Sequence, residues 1–409
     1  MRSVLIALCA LLAAAPASAR TVKVKDVPGL AAAIKAAQPG DEIVLADATY
    51  VLADKLVAHT GGTREAPITL RAEHRWKAAV RSSGQIAFEV RAPYWTIEDL
   101  DIRGICADDG QCEHAVHVVG AADGFRLIGN RLVDFNAQLK VNADEARVIP
   151  ANGLVEGNEL FDTHPRKTDG PVTPLDVDNG SGWVVRANQI SDFRKALGAQ
   201  ISYGAFVKGG AVGALFERNL VVCSRHRYEP GTRIGLSFGG GGMDPALCVP
   251  HWDANTPCDP EVTNGVIRNN IIANCSDVGI YLNHASGTQV LFNTLLHTAG
   301  IDFRFASSSG EARGNLASTY IHDRDDATHT DGGNLSGDIS DDALDALYKD
   351  ARFGDLRLAT DAAGLAKAGI TGKGGDDPRV PDDFCGRKRT PPLDMGALQS
   401  SLGDCPTLK

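Results

Sequence analysis

One short motif recurs along this chain, and it restricts the available folds more than any other feature. Leu127–Leu132 reads LIGNRL, Leu154–Leu160 LVEGNEL, Val184–Ile190 VVRANQI, Leu215–Val221 LFERNLV, Val266–Ile271 VIRNNI and Val290–Leu295 VLFNTL. Arg313–Ala317, RGNLA, is a weaker copy that lacks the β-rich run. Each full copy is a few β-formers, an Asn at the turn, and an aliphatic residue opening the next strand. The Asn positions, taken as 130, 158, 188, 219, 269, 293 and 315, are spaced 28, 30, 31, 50, 24 and 22 apart. A short strand sends alternate residues inward. An Asn at a turn bonds nearby backbone and tolerates a left-handed conformation. Stacked turn Asn residues can also bond one another. A β-sandwich has many short strands too, but it does not put Asn at one point of so many of them. The pattern predicts an all-β chain, a single-stranded right-handed parallel β-helix with loops of variable length inserted at its turns.

A solenoid needs covered ends. Residues 30–37, LAAAIKAA before Pro39-Gly40, predict an N-terminal capping helix. The repeat fades near residue 340, residues 341–351 read as a short helix, and the remainder is rich in Pro and Gly. We therefore divide the chain into a leader at 1–19, a β-helix at 20–340 and a C-terminal cap or tail at 341–409. The leader assignment rests on Met1-Arg2, an apolar run from Val4 to Ala15 and Ala17-Ser18-Ala19, the three regions of an export signal. It predicts a periplasmic or secreted protein, and no segment is apolar for long enough to span a membrane.

Without Cys9, eight of the nine cysteines remain, an even number for an oxidising compartment. Local partners are favoured: Cys106 with Cys112, Cys248 with Cys258 and Cys385 with Cys405, which leaves Cys223 with Cys275. None of the spacings is C-x-x-C, which disfavours zinc and thioredoxin-type chemistry. The net charge of −10 argues against nucleic acid as a partner. We expect a monomer, and an anionic ligand would need a local basic patch or a bridging cation.

Two further segments carry a resemblance. Residues 28–50, PGLAAAIKAAQPGDEIVLADATY, followed by Ala66–Ala72, APITLRA, resemble the entry of polysaccharide lyase family 6, which holds alginate lyases and chondroitinase B within the pectate-lyase-like β-helix superfamily. The tail Asp383–Arg387 with Leu393–Ala397 resembles the ending of many secreted β-helix proteins. The resemblance implies an acidic polysaccharide as partner and β-elimination as the reaction. That reaction needs a neutralised carboxylate, a base for the C5 proton and an acid for the leaving oxygen at C4. Lys208 falls where the family carries its catalytic lysine. The family's partner arginine lies one coil later; the matching place here is Ser237, and Arg233, four residues earlier, is the candidate partner. The family binds calcium through acids on the strand before the lysine. That stretch here, residues 200–204, has none, so Asp176 and Asp178, one coil earlier, are the candidate Ca2+ ligands.

Alternation predicts which side chains leave the surface: His117, Asp176 and Asp178, Lys208, Gly235 and Ser237, then Tyr281 and Asn283. The glycines after Lys208 read as room for close ligand approach. The long interval after Asn219 carries Arg225, Arg227 and Trp252, a basic and aromatic set able to draw and stack a uronate, with Cys248 and Cys258 bracing one wall of a cleft. Each residue also has a plain reading, as a solvated lysine or arginine or as a turn carboxylate in Asp178-Asn179-Gly180. The functional alternatives are a non-catalytic glycan-binding or structural β-helix, a glycoside hydrolase using Asp176 and Asp178, and a C5-epimerase.

Overall fold

The computed structural model describes residues 19–225, 230–240, 243–403 and 405. Apart from Ala19, the leader lies outside these residues, and so does Arg227. The chain winds into a right-handed parallel β-helix of three long parallel sheets, with twelve, eleven and ten strands in the order they are visited in each coil. Successive coils pair in register. In the ten-stranded sheet, Leu139 pairs with Leu175, Leu175 with Ala205, and Leu236 with Ile280. These inward positions are fully buried, and each large apolar side chain removed from water contributes about 1.5–3 kcal/mol.

The predicted Asn ladder stands at the turn between the first two sheets. Each side-chain carbonyl accepts the backbone N–H and the side-chain amide of the Asn one coil earlier. Asn130 bonds Asn158, Asn158 bonds Asn188, Asn188 bonds Asn219, and so on to Asn334. One position needs correcting: the ladder residue is Asn270, not Asn269. Asn269 takes the left-handed corner (φ 54°) and donates instead to Asp382 O. Two adjacent Asn residues make the motif ambiguous by one place, and the pairing of Ile267 with Phe216 resolves it. Asn334 is an eighth rung whose flanking glycines hid it.

The N-terminal helix spans Val27–Lys35, with Asp26 capping Gly29 N, and it buries Leu30 and Ile34 against the first coils. The predicted helix at 341–351 stops at Asp345. Tyr348–Asp350 turns back against Asp355–Leu358, because Gly354 supplies a left-handed residue (φ 80°) between them. The C-terminal segment packs on the flank of the solenoid. Leu344, Tyr348, Leu356, Leu365 and Phe384 cover Leu220, Val222, Ile271 and Leu296, the outer face of the second sheet. The four disulfides join Cys106–Cys112, Cys223–Cys275, Cys248–Cys258 and Cys385–Cys405, the local set favoured by spacing. Among the described residues, no helix is long and apolar enough to cross a membrane.

Candidate functional site

The ten-stranded sheet presents two outward columns. Register places Glu89, His117, Lys140, Asp176, Phe206, Ser237, Tyr281, Asp302 and His322 in one. Two residues further along the strands come Asn142, Asp178, Lys208, Gly239, Asn283, Arg304 and Arg324. His117, Asp176, Asp178, Lys208, Tyr281 and Asn283 thus share one face, as alternation predicts.

Lys140, which the sequence reading passed over, is the centre of the charged cluster. Its Nζ lies 2.8 Å from Asp176 Oδ1 and 2.7 Å from Asp178 Oδ2. Burial pulls this ammonium down, but the two carboxylates more than offset it and hold it above the ordinary lysine value. Burial, and then the charge of Asp176, push Asp178 above the ordinary carboxylate value. A group raised in this way, as Lys140 is, stabilises the fold below the ordinary lysine range, and that contribution is lost as pH climbs through its raised value. Lys140→Met should cost about 3–5 kcal/mol at neutral pH by removing the nearest counter-charge of two buried carboxylates. The deficit should shrink as pH falls and Asp178 takes a proton. Urea melts at neutral and acidic pH check this; the same deficit at both would mean that Lys140 acts by packing.

Calcium does not fit Asp176 and Asp178 as they are held. The ion takes roughly six to eight oxygens, whereas Asp176 and Asp178 already share an ammonium. No cluster of three or more His, Cys, Asp or Glu able to hold a metal occurs among the described residues. Added chelator should therefore leave both the melting temperature and any activity unchanged. A drop in either would restore a cation to this site.

Lys208 Nζ stands 3.6 Å from Asp178 Oδ1 and 4.6 Å from the centre of the Phe206 ring. A Cβ on Gly240 would meet its Cδ at 3.0 Å. Gly209 and Gly210 serve the disulfide loop rather than an approaching ligand. A Cβ on Gly210 would come within 2.0 Å of Val249 O, Val249 N donates to Gly209 O, and Asn179 Nδ2 donates to Leu247 O. The loop braced by Cys248–Cys258 therefore does stand beside Lys208, as expected. Within it, the half-buried Trp252 faces the Arg147 guanidinium at 5.5 Å.

Arg233 is not brought to Lys208. It pairs with Ser202, six residues before Lys208 on the neighbouring strand, so their backbones stand ~20 Å apart along the strand direction. Alternation also fails between them. Gly204 and Gly235 sit at a bend, where a Cβ on Gly235 would meet Gly279 O at 2.3 Å, so Gly235 does not face outward. Arg233 instead lines a separate pocket of about 430 Å³ at the opposite end of these strands, with Asp162, His164 and Arg194. Arg225 lies on the same turn, its backbone N–H bound to Asp192. Ser237, where the resemblance led us to expect a partner arginine, is fully buried, and its hydroxyl is spent on the carbonyls of Gly239 and Tyr281. His117 is largely withdrawn: Nε2 lies 2.7 Å from Asn142 Oδ1, and burial lowers its pKa.

Beyond Gly240 the face opens into a cleft of about 490 Å³ lined by Tyr203, Tyr281, Asn283, His284, Arg304 and Arg324, among others. Arg304 Nη1 donates to Tyr281 Oη at 2.9 Å, and its Nε bonds Asp325. Arg324 pairs with Asp302 at 2.6 Å. Burial and the neighbouring Tyr281 push the Tyr203 phenol up to about 12. Arg304 and Arg324 sit in coils C-terminal to the last strong Asn motif. The alternation in Ile301–Arg304 and Ile321–Arg324 was the signal that would have found them.

Residues 24–151 match the family model described as Chondroitinase B. No curated protein matches the sequence. Among solved structures, pectate lyase Pel9A is similar over 94% of this chain and 97% of its own, at 13% identity and TM-score 0.63. A rhamnogalacturonan lyase is similar over 85% and 98%, at 12% identity and TM-score 0.57. An alginate lyase, AlyF-OU02, in complex with G6 is similar over 74% and 61%, at 18% identity and TM-score 0.50. At such identities the likeness is one of fold, the parallel β-helix.

Proposed function

We propose that this protein is a polysaccharide lyase that cleaves a uronate-containing glycan by β-elimination on the outer face of the ten-stranded sheet. Lys208 is the base, and the cleft lined by Arg304 and Arg324 holds the acidic chain. The observation that carries the reading is the continuity of this face. An amine, Lys208, abuts Gly240, and Gly240 is also a wall of a cleft bearing two guanidinium groups. Cationic side chains draw a polyanion to an otherwise acidic protein and withdraw charge from the uronate carboxylate, making its C5 proton easier to remove. The family match over the first coils and the lyases among the structural neighbours support the same chemistry. Trp252, half-buried in the disulfide-braced loop, is the candidate stacking residue. Four disulfides suit an oxidising compartment, periplasmic or extracellular.

Incubation with alginate, polygalacturonate and glycosaminoglycans should yield unsaturated uronate ends that absorb in the ultraviolet from at least one polymer. Reducing ends without absorbance would mean hydrolysis, and altered uronate composition without cleavage would mean epimerisation. A second reading, glycan binding without turnover, draws on Ser237, which replaces the expected arginine with a buried hydroxyl. Retention of a polymer with no product formed would favour it.

A further inference from the structure

The lyase reading leaves one role unfilled, the proton for the departing C4 oxygen, because Arg233 is remote and Ser237 is buried. We propose that Tyr281, held by Arg304, donates that proton. The assignment rests on the lyase reading and on four observations.

First, the hydrogen bond has the right polarity. Arg304 Nη1 donates to the phenol oxygen at 2.9 Å. The guanidinium has no acceptor, so the phenol's own proton is left to point elsewhere. Second, the arginine is fixed. Its Nε bonds Asp325 and its Cζ lies 4.6 Å from the Phe305 ring centre. A positive charge locked against the phenol oxygen stabilises the phenolate left after donation. Third, Tyr281 lines the open cleft, and so does Asn283 two residues on. Asn283 is 4% exposed and its Oδ1 has no hydrogen-bond partner. A buried amide oxygen without a partner carries a cost, and this one belongs to a residue of the cleft wall beside Tyr281.

Fourth, the coil between Lys208 and Tyr281 carries only small residues in the two outward columns. Register runs Phe206, Ser237, Tyr281, so the strands bearing the two groups are two coils, ~9.6 Å, apart. The intervening coil offers the buried Ser237 and then Gly239, where even a Cβ would strike Asn283 O at 1.7 Å. At these two positions the coil carries nothing longer than a hydroxymethyl group, while Tyr203 packs against Ile234 and Tyr281 beside them, so a sugar ring lying across these coils has an amine on one side and a phenol on the other.

In the step, the neutral Lys208 amine takes the C5 proton and becomes ammonium. The C5 electron pair forms the C4=C5 double bond, and the C4–O bond breaks. The leaving oxygen takes the Tyr281 proton, giving a hydroxyl end and a phenolate beside Arg304. Proton exchange with water resets both groups.

A leaving group that needs no proton separates this role from a structural one. The probe is a methyl 4-deoxy-4-fluorouronide of the sugar found in the polymer that the wild type degrades. Tyr281→Phe should slow polymer cleavage ~10²–10⁴-fold but fluoride elimination less than tenfold. Arg304→Met should reproduce that split more weakly, and Lys208→Met should lose both reactions. Equal losses of Tyr281→Phe on both substrates, or none on either, would overturn the assignment and leave the lyase reading standing. A wild type that eliminates from neither substrate would overturn the lyase reading and this assignment with it.

Discussion

Lys208→Met is expected to lower the rate of unsaturated product formation by ~10²–10⁴-fold, the usual contribution of a positioned general base. The substitution isolates the amine. Methionine keeps a flexible unbranched chain of similar reach against the Phe206 ring and the Gly240 backbone, which the lysine stem contacts. It removes only Nζ. That group stands 3.6 Å from Asp178, whose closer partner is Lys140 at 2.7 Å, so the carboxylate keeps its main counter-charge. The fold should therefore survive, with a change in unfolding free energy of at most about 1 kcal/mol, as for a weak ion pair. Arginine in the same place should not rescue activity, because a guanidinium stays protonated. Initial rates by ultraviolet absorbance, alongside a urea melt, decide the matter. Activity within tenfold of wild type would remove Lys208 from the chemistry.

The largest stability effect should come from a residue far from the site. Asn188 is buried in the middle of the ladder. Its Oδ1 accepts from the N–H and the side-chain amide of Asn158, and its Nδ2 donates to Val155 O and Asn219 Oδ1. Asn188→Ala strands all these partners in a dry turn, and each unsatisfied buried group costs about 1–3 kcal/mol. A total loss of ~4 kcal/mol or more is expected. Coils contact chiefly their neighbours, so the break should also split one cooperative transition into two. Denaturant melts followed by far-ultraviolet circular dichroism test both effects. A loss under ~1 kcal/mol would show that the ladder only accompanies a fold held by its aliphatic stack.

The two predictions draw on different kinds of information. Asn188 is legible because local chemistry dictates it: a turn that demands a left-handed residue or a side-chain bond to backbone demands it again in every coil. The same local logic found the capping helix through Leu30 and Ile34. It slipped by one place at Asn269-Asn270, where neighbouring identical residues leave the choice to strand register. It also overran at 345–351, where a turn at Gly354 outweighs helix propensity.

Sequence alone thus determined the coil, its inward stack and the face that Lys208, Asp176, Asp178, Tyr281 and Asn283 share, because strand alternation and turn chemistry act over a few residues at a time. Tertiary structure alone decided what each outward group meets. Lys140 occupies the space between Asp176 and Asp178, 36 and 38 residues away. Arg233 turns to a different pocket at a bend set by two glycines in adjacent coils. Arg304 reaches back 23 residues to Tyr281. Such contacts depend on how many residues each loop inserts between coils, and that count sets which side chains stack without leaving any periodic trace along the chain.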